Sequence, residues 1–181
     1  MQTIAKLCLK LSGIPNNPPV DQFTIIRTHM KSDIDAQGFI EYIFKKTIDW
    51  TYIEEIVLKE KIFVDNTEHT LVLKNSKTQH NYKIKIDEIN YSYLLTFPQI
   101  GVISKLRSTN ISPDTKLIIK LDNYYGKLEG LYIAEIKYDR NNYSDGNTII
   151  QNIKRMFGDN IIDITYDPQY RDSFLAAKLC L

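Results

Sequence analysis

Glycine is scarce in this sequence, at seven in 181 residues, and none opens the Gly-rich strand-to-helix turn that cradles phosphates. Cysteine occurs only twice. Cys8 and Cys180 sit in the same short string, AKLCL, at opposite ends of the chain. They read as reduced, buried residues, with a terminal disulfide as the alternative. The histidines are few and scattered: His29, His69 and His80 have no metal-ligand spacing and read as surface or hairpin residues. Neither sign of charge is in excess, with 23 Lys and Arg against 22 Asp and Glu. A net charge of +1 provides no global field for nucleic acid or a membrane surface, so any basic site must be local. No run of about 18 apolar residues occurs, and the N-terminus lacks a signal-peptide apolar region. The expectation is a soluble, cytoplasmic protein. Ser104 and Ser173 have no histidine near them in sequence, so no nucleophile motif appears.

What is present favours strands. Twelve tyrosines and many isoleucines raise β propensity. TIAKLCLKL and FTIIRTHM suit strands, and GIPNNPPVDQ (13–22) between them is a proline-rich break. DAQGFIEYIFKKTIDW fits either a strand or a helix. EIVLKEKIFV (55–64) and HTLVLKN (69–75) read as a hairpin, and NYKIKID (81–87) alternates strictly. EINYSYLLTFPQ looks helical up to Pro98. GVISKLRS (101–108), KLIIKLDNYY (116–125) and GLYIAEIKYD (130–139) follow as strands. Helical spacing of Ile149, Ile150, Ile153, Met156 and Phe157 precedes Gly158, which suits a C-cap. Asp167 and Pro168 mark the start of a last helix. The expected class is α+β: one domain over 1–181, with residues 1–50 the least defined. It would hold roughly eight antiparallel strands, enough to close a barrel, and two or three helices.

Residues i and i+2 of a strand share a face. Lys59 with Lys61, Lys83 with Lys85, Lys105 with Arg107, Lys120 with Asp122, and Glu135 with Lys137 are such pairs. One reading is the solvated face of an antiparallel sheet. The other is a barrel with its charges turned inward. Buried cations cost several kcal/mol each unless paired, so an inward arrangement would require a polyanionic guest.

The stretch LDNYYGKLEGLYIAEIKYD then resembles a segment of CYTH proteins, the triphosphate tunnel metalloenzyme superfamily. That segment runs hydrophobic-Asp-x-Phe-x-Gly-x-Leu-x-Gly-Leu-x-x-Ala-Glu-Val-Glu. Asp122, Tyr124, Gly126, Leu128, Gly130, Leu131, Ala134 and Glu135 fall in register. VISKLR is similar to the family's Ile-x-Lys-x-Arg strand through Lys105 and Arg107. IDITYDPQYRDSFLA is similar to its closing motif through Thr165, Asp167, Tyr170, Arg171, Ser173, Leu175 and Ala176. LKEKIFVDNTEHTLVLKN is a weaker match, with lysines where arginines stand in the family. QGF (37–39) resembles the family's Gln-Gly-Tyr. The resemblance spans residues 57–181, with its specific part over 101–176. It implies an eight-stranded antiparallel tunnel that binds a triphosphate group and usually hydrolyses or cyclises it with Mg²⁺ or Mn²⁺.

The departures fall on the metal side. The family's Glu-x-Glu-x-Lys strand has no acidic counterpart in TIAKLCLKL, and the nearest substitute is DIDAQ, with Asp33 and Asp35. YKIKID carries lysines for two glutamates, and Lys137 replaces the second acid of Glu-x-Glu. Asp122 and Glu135 alone remain at matched acidic positions, as residual catalytic and metal-ligating groups. By the resemblance, Lys59, Lys61, Lys74, Lys105, Arg107, Lys137 and Arg171 would bind phosphate. The expected function is binding of a triphosphate, polyphosphate or nucleotide anion, with hydrolysis lost. The alternatives are an active triphosphatase using Asp33, Asp35, Asp122 and Glu135 with Mg²⁺ or Mn²⁺, or a non-catalytic interaction scaffold.

Overall fold

The computed structural model describes residues 4–12, 21–78, 81–111, 117–139 and 146–179. The proline-rich 13–20 stretch, His80 and Cys180 lie outside them. In chain order the strands are β1 Ile4–Leu11, β2 Asp21–Met30, β3 Ile53–Ile62, β4 Thr67–Asn75 and β5 Asn81–Ile86. They continue with β6 Gln99–Ile111, β7 Ile118–Tyr124, β8 Tyr132–Asp139 and the short β9 Ile161–Asp163. Helix α1 is Ile34–Phe44, α2 Glu88–Leu94, α3 Gly146–Phe157 and α4 Asp172–Leu179. This is the expected α+β class, with one short strand and one helix more than expected. The strands follow the order β5-β4-β3-β2-β6-β7-β8-β1-β9. That order is open, with β5 and β9 at its ends, so hydrogen bonding among the described residues does not close the expected barrel. No helix among the described residues is long and apolar enough to cross a membrane.

The chain divides into two compact units, Met1–Thr24 with Lys105–Tyr170, and Ile25–Ser104 with Arg171–Leu181. In the first, period-two alternation sends Leu7, Leu9 and Leu11 of β1 to one side. Ile119 and Leu121 of β7 and Ala134 and Ile136 of β8 join them in one buried cluster, closed by Ile149 and Ile153 of α3. Each fully buried aliphatic side chain here contributes about 1.5–3 kcal/mol relative to exposure. Met156, expected on the apolar stripe of α3, is instead half-exposed. Gly158 ends the helix, its N–H bonding the Lys154 carbonyl at 2.8 Å.

In the second unit, Met30, Ile40, Ile48, Ile56, Leu58, Leu71, Leu73, Tyr91 and Leu94 form the core. The ambiguous 35–50 segment is helical as far as Phe44, and the start of the helix is capped: the Asp33 carboxylate accepts from the Ala36 N–H at 2.8 Å. Asp87 caps α2 in the same way, accepting from the Asn90 N–H at 2.7 Å. The β3–β4 hairpin and β5 pair as expected, with Lys59 opposite Thr70 and Lys61 opposite Glu68.

Gly101 of β6 lies under α4. A Cβ there would stand 2.2 Å from the Ala176 carbonyl oxygen, which is backbone and cannot swing aside. Gly38, exposed on α1, would meet nothing within 4 Å. Gly101→Ala is therefore expected to lower stability by about 1–3 kcal/mol through overpacking. Gly38→Ala should raise it by roughly 0.5–1 kcal/mol, because alanine loses less backbone entropy in a helix. Urea unfolding of both variants checks the opposite signs.

Candidate functional site

The alternation that builds the first unit's core leaves the other side of the same strands polar. Lys6, Cys8 and Lys10 of β1 point away from Leu7 and Leu9. Lys120, Asp122 and Tyr124 of β7, and Glu135 and Lys137 of β8, do likewise. Register aligns them across the sheet: Lys105 opposite Tyr124, Arg107 opposite Asp122, Lys120 opposite Glu135, Glu135 opposite Cys8, and Lys137 opposite Lys6. The turn that brings β8 back along β7 uses Gly126 at φ 67° and Gly130 at φ 85°, backbone that other residues rarely adopt.

At the centre of this face is a buried ion-pair triad. Arg107 grips Asp122 with both arms, Nε to Oδ1 at 2.6 Å and a terminal nitrogen to Oδ2 at 2.6 Å. Lys105 Nζ reaches Asp122 Oδ2 at 2.8 Å and donates to the Tyr124 hydroxyl at 3.2 Å. Lys105 is 2 % exposed, Asp122 3 % and Tyr124 1 %. Burial alone would raise the Asp122 carboxyl, but Lys105 and Arg107 more than offset it and hold it below the ordinary aspartate value of 3.8.

Beside the triad, Glu135 accepts from Lys6 at 3.0 Å. Burial would raise Glu135 as well, and Lys6, Arg107 and Lys120 together pull it down. Lys120 goes the other way. Burial lowers its pKa, Lys137 and Arg107 lower it further, and Glu135 only partly compensates. Lys10 donates to the Tyr170 hydroxyl at 3.4 Å and lies 5.5 Å from that ring. The face thus sets Lys6, Lys10, Lys105, Arg107, Lys120 and Lys137 against Asp122, Glu135 and, two residues beyond Lys137 on β8, Asp139.

These residues do not fit the divalent cation that the resemblance implies. Mg²⁺ and Mn²⁺ bind through hard carboxylate and water oxygens. Both Asp122 oxygens are already held by Arg107 and Lys105, and Glu135 stands among Lys6, Lys120 and Lys137. Among the described residues no group of three His, Cys, Asp or Glu could hold a metal. Asp33 and Asp35, the substitute acids considered above, lie at the N-terminus of α1, where Asp33 is the cap. Gln37, Gly38 and Phe39 also fall on α1 rather than on a strand.

The second unit has a polar sheet face of its own. Lys59 and Lys61 of β3 share it with Glu55, and β4 contributes Lys74 and Glu68 through the register. Lys74 pairs with Glu55 at 2.5 Å and Lys61 with Glu68 at 3.7 Å. Lys83 and Lys85 of β5 are solvated, and Lys85 pairs with Glu68 at 2.9 Å. For these two the solvated-face reading holds, whereas the Lys105–Arg107 pair is buried. Arg171 is exposed, just ahead of α4.

His29 was expected at the surface and is instead 2 % exposed, its Nδ1 3.8 Å from Glu55. Next to it on the same face of β2, Arg27 pairs with Asp172 of α4. His29 Nε2 and Arg27 Nε have no hydrogen-bond partner among the described residues. Burial lowers the His29 pKa below 6.5; Glu55 and Asp172 oppose that fall, while Lys74 and Arg27 add to it. Lys6 and Lys10 were the other omissions. Alternation along IAKLCLKL puts them on the face opposite the leucines, so the signal was present; the long-range burial of His29 had none.

The fold is shared with solved structures of an inorganic triphosphatase. Two of the solved structures it resembles are of one protein. The crystal structure of the inorganic triphosphatase NE1496 superposes with a TM-score of 0.63 and 18 % identity, covering 98 % of this chain and 96 % of that one. A second, described as the hypothetical protein NE1496, gives 0.60 and 18 %, covering 97 % and 98 %. At this identity the likeness speaks for the fold. No family model and no curated protein sequence matches the chain.

Two stability predictions follow from the buried charges. Asp122→Asn removes the carboxylate charge that Lys105 and Arg107 both hold and should cost about 3–5 kcal/mol in urea unfolding. The pH dependence has two separate windows. His29 has a lowered pKa in the folded state, so its contribution is complete above 6.5 and is lost as pH falls below it. Asp122 is also lowered, so its contribution is complete above 3.8 and disappears only in stronger acid. Unfolding followed from pH 7 to 5 should show a loss in the wild type that His29→Gln removes.

Proposed function

We propose that this chain is a cytoplasmic, tunnel-type protein that binds a triphosphate, polyphosphate or nucleotide anion and no longer hydrolyses it. The observation that carries the reading is the cation excess on the β1–β8–β7–β6 face. Lys6, Lys120 and Lys137 crowd one carboxylate, Glu135, and burial already disfavours the Lys120 ammonium. A sheet surface of this kind is unfavourable by itself and becomes favourable when several phosphate oxygens meet the ammonium groups.

In this reading Lys6, Lys10, Lys120 and Lys137 contact the anion. Lys105 and Arg107 reinforce the positive potential from behind, while holding Asp122. Lys59, Lys61 and Lys74 are secondary contributors on the second unit's own face, where Glu68 and Glu55 already balance Lys61 and Lys74. Arg171 is an exposed cation available to the same class of ligand. Hydrolysis is lost because Asp122 and Glu135, the residual acids, are committed to cations rather than to a metal or a water.

The fold shared with an inorganic triphosphatase favours a second reading, an active enzyme using Mg²⁺ or Mn²⁺ at Asp122 and Glu135. Phosphate release from inorganic triphosphate separates the two. Turnover with Mg²⁺ or Mn²⁺ that Glu135→Ala abolishes would contradict the binding-only reading. A third reading, an interaction scaffold, requires no anion binding at all.

A thermal-shift panel of inorganic triphosphate, ATP and GTP distinguishes the scaffold. A binder gains about 2.7 kcal/mol of stability at a hundredfold excess over Kd. Lys120→Ala and Lys137→Ala should each weaken binding about tenfold, the loss of roughly one charge-assisted contact. No shift with any of the three ligands would refute the proposal.

A further inference from the structure

We infer that the cationic face of the first unit takes its polyanion in the metal-free form, and that divalent cations oppose binding rather than promote it. This rests on the anion-binding reading above and concerns which state of the ligand the site recognises.

The argument begins with a like-charge contact. Lys6 of β1 and Lys137 of β8 are direct cross-strand partners on the polar face. Like charges placed opposite each other destabilise a sheet pair. Lys6 relieves its side of the contact by turning to Glu135 at 3.0 Å. No ion pair is formed by Lys137 among the described residues. Lys120 faces the same carboxylate from the other flank, opposite Glu135 in the register. Of the two acids on this face of β8, Glu135 and Asp139, Glu135 takes the ion pair with Lys6 and lies opposite Lys120 in the register, so three ammonium groups crowd it.

The acid that could have restored the balance is Asp122, and it is unavailable. Both its oxygens are taken, one by Arg107 Nε and the other by Arg107 and Lys105 together. The uncompensated charge on this face is therefore fixed by the fold, on ammonium groups held at the spacing of neighbouring strands. A divalent ion carried in on a triphosphate would stand among these ammonium groups, with Asp122 held by Arg107 and Lys105 and Glu135 paired with Lys6. It would also cancel part of the ligand charge that the lysines require. Both effects have the same sign. The positive charge that a metal would bring is supplied by the chain itself.

The probe is inorganic triphosphate, titrated calorimetrically into the full chain in chelator and again in millimolar Mg²⁺. Binding is expected in chelator, weakened about tenfold or more by Mg²⁺. Lys137→Glu, checked for folding by circular dichroism, places a second acid beside Glu135. It should weaken binding in chelator and shrink or reverse the Mg²⁺ effect. Binding that requires Mg²⁺, or that Mg²⁺ strengthens in the wild type, overturns this inference and leaves the anion-binding reading intact. So does a Lys137→Glu protein with the wild-type affinity and the wild-type Mg²⁺ response. Absence of binding in both buffers overturns the inference and the underlying reading together.

Discussion

The pair made by Arg107 and Asp122, with Lys105 closing on the same carboxylate, is the constraint on which the first unit's polar face depends. Three charged groups buried on one sheet surface are tolerable only because every Asp122 oxygen is held by a cation at hydrogen-bonding distance. That arrangement fixes the register of β6 on β7, since a slip of one residue would send Arg107 to the apolar side. It also commits both Asp122 oxygens to Arg107 and Lys105. On the rest of the face Glu135 pairs with Lys6 and lies opposite Lys120 in the register.

Two kinds of charge are thereby kept apart. Lys105 and Arg107 are buried and hold Asp122. Lys6, Lys10, Lys120 and Lys137 lie nearer to solvent and carry the surplus. The second unit handles the same problem differently, pairing Lys74 with Glu55, Lys61 with Glu68, and Arg27 with Asp172 of α4. There Glu68 serves both Lys61 and Lys85, Glu55 faces both Lys74 and His29, and the His29 imidazole is buried. A fold shared with an inorganic triphosphatase thus carries a face whose own acids are committed to internal ion pairs.

Much of this was legible in the sequence, and the physical reason is period two. KLIIKLDNYY and GLYIAEIKYD alternate cleanly, so the strands, their faces and the turn at Gly126 and Gly130 follow from the residues. Spacing could place Asp122 and Arg107 on strands but could not show them opposite each other, because register is set by the turn and by tertiary packing. Asp122, expected as a residual acid that would ligate a metal in an active enzyme, pairs with Arg107 and Lys105. The 35–50 segment was ambiguous because its apolar residues fit both periods, and the Asp33 cap decides it. β9 is three residues long, too short for any alternation to be seen. The burial of His29 arises from elements distant in sequence, including α4 at the opposite end of the chain, and no local pattern announces it.

The most direct measurement is the titration of the Lys120 ammonium by heteronuclear NMR, alone and with inorganic triphosphate. The account predicts a pKa below 10.5 in the free protein, because burial and neighbouring cations disfavour the charge, and a rise when the anion binds. A Lys120 that titrates at its ordinary value and does not respond to triphosphate would contradict the claim that this face is built around missing negative charge.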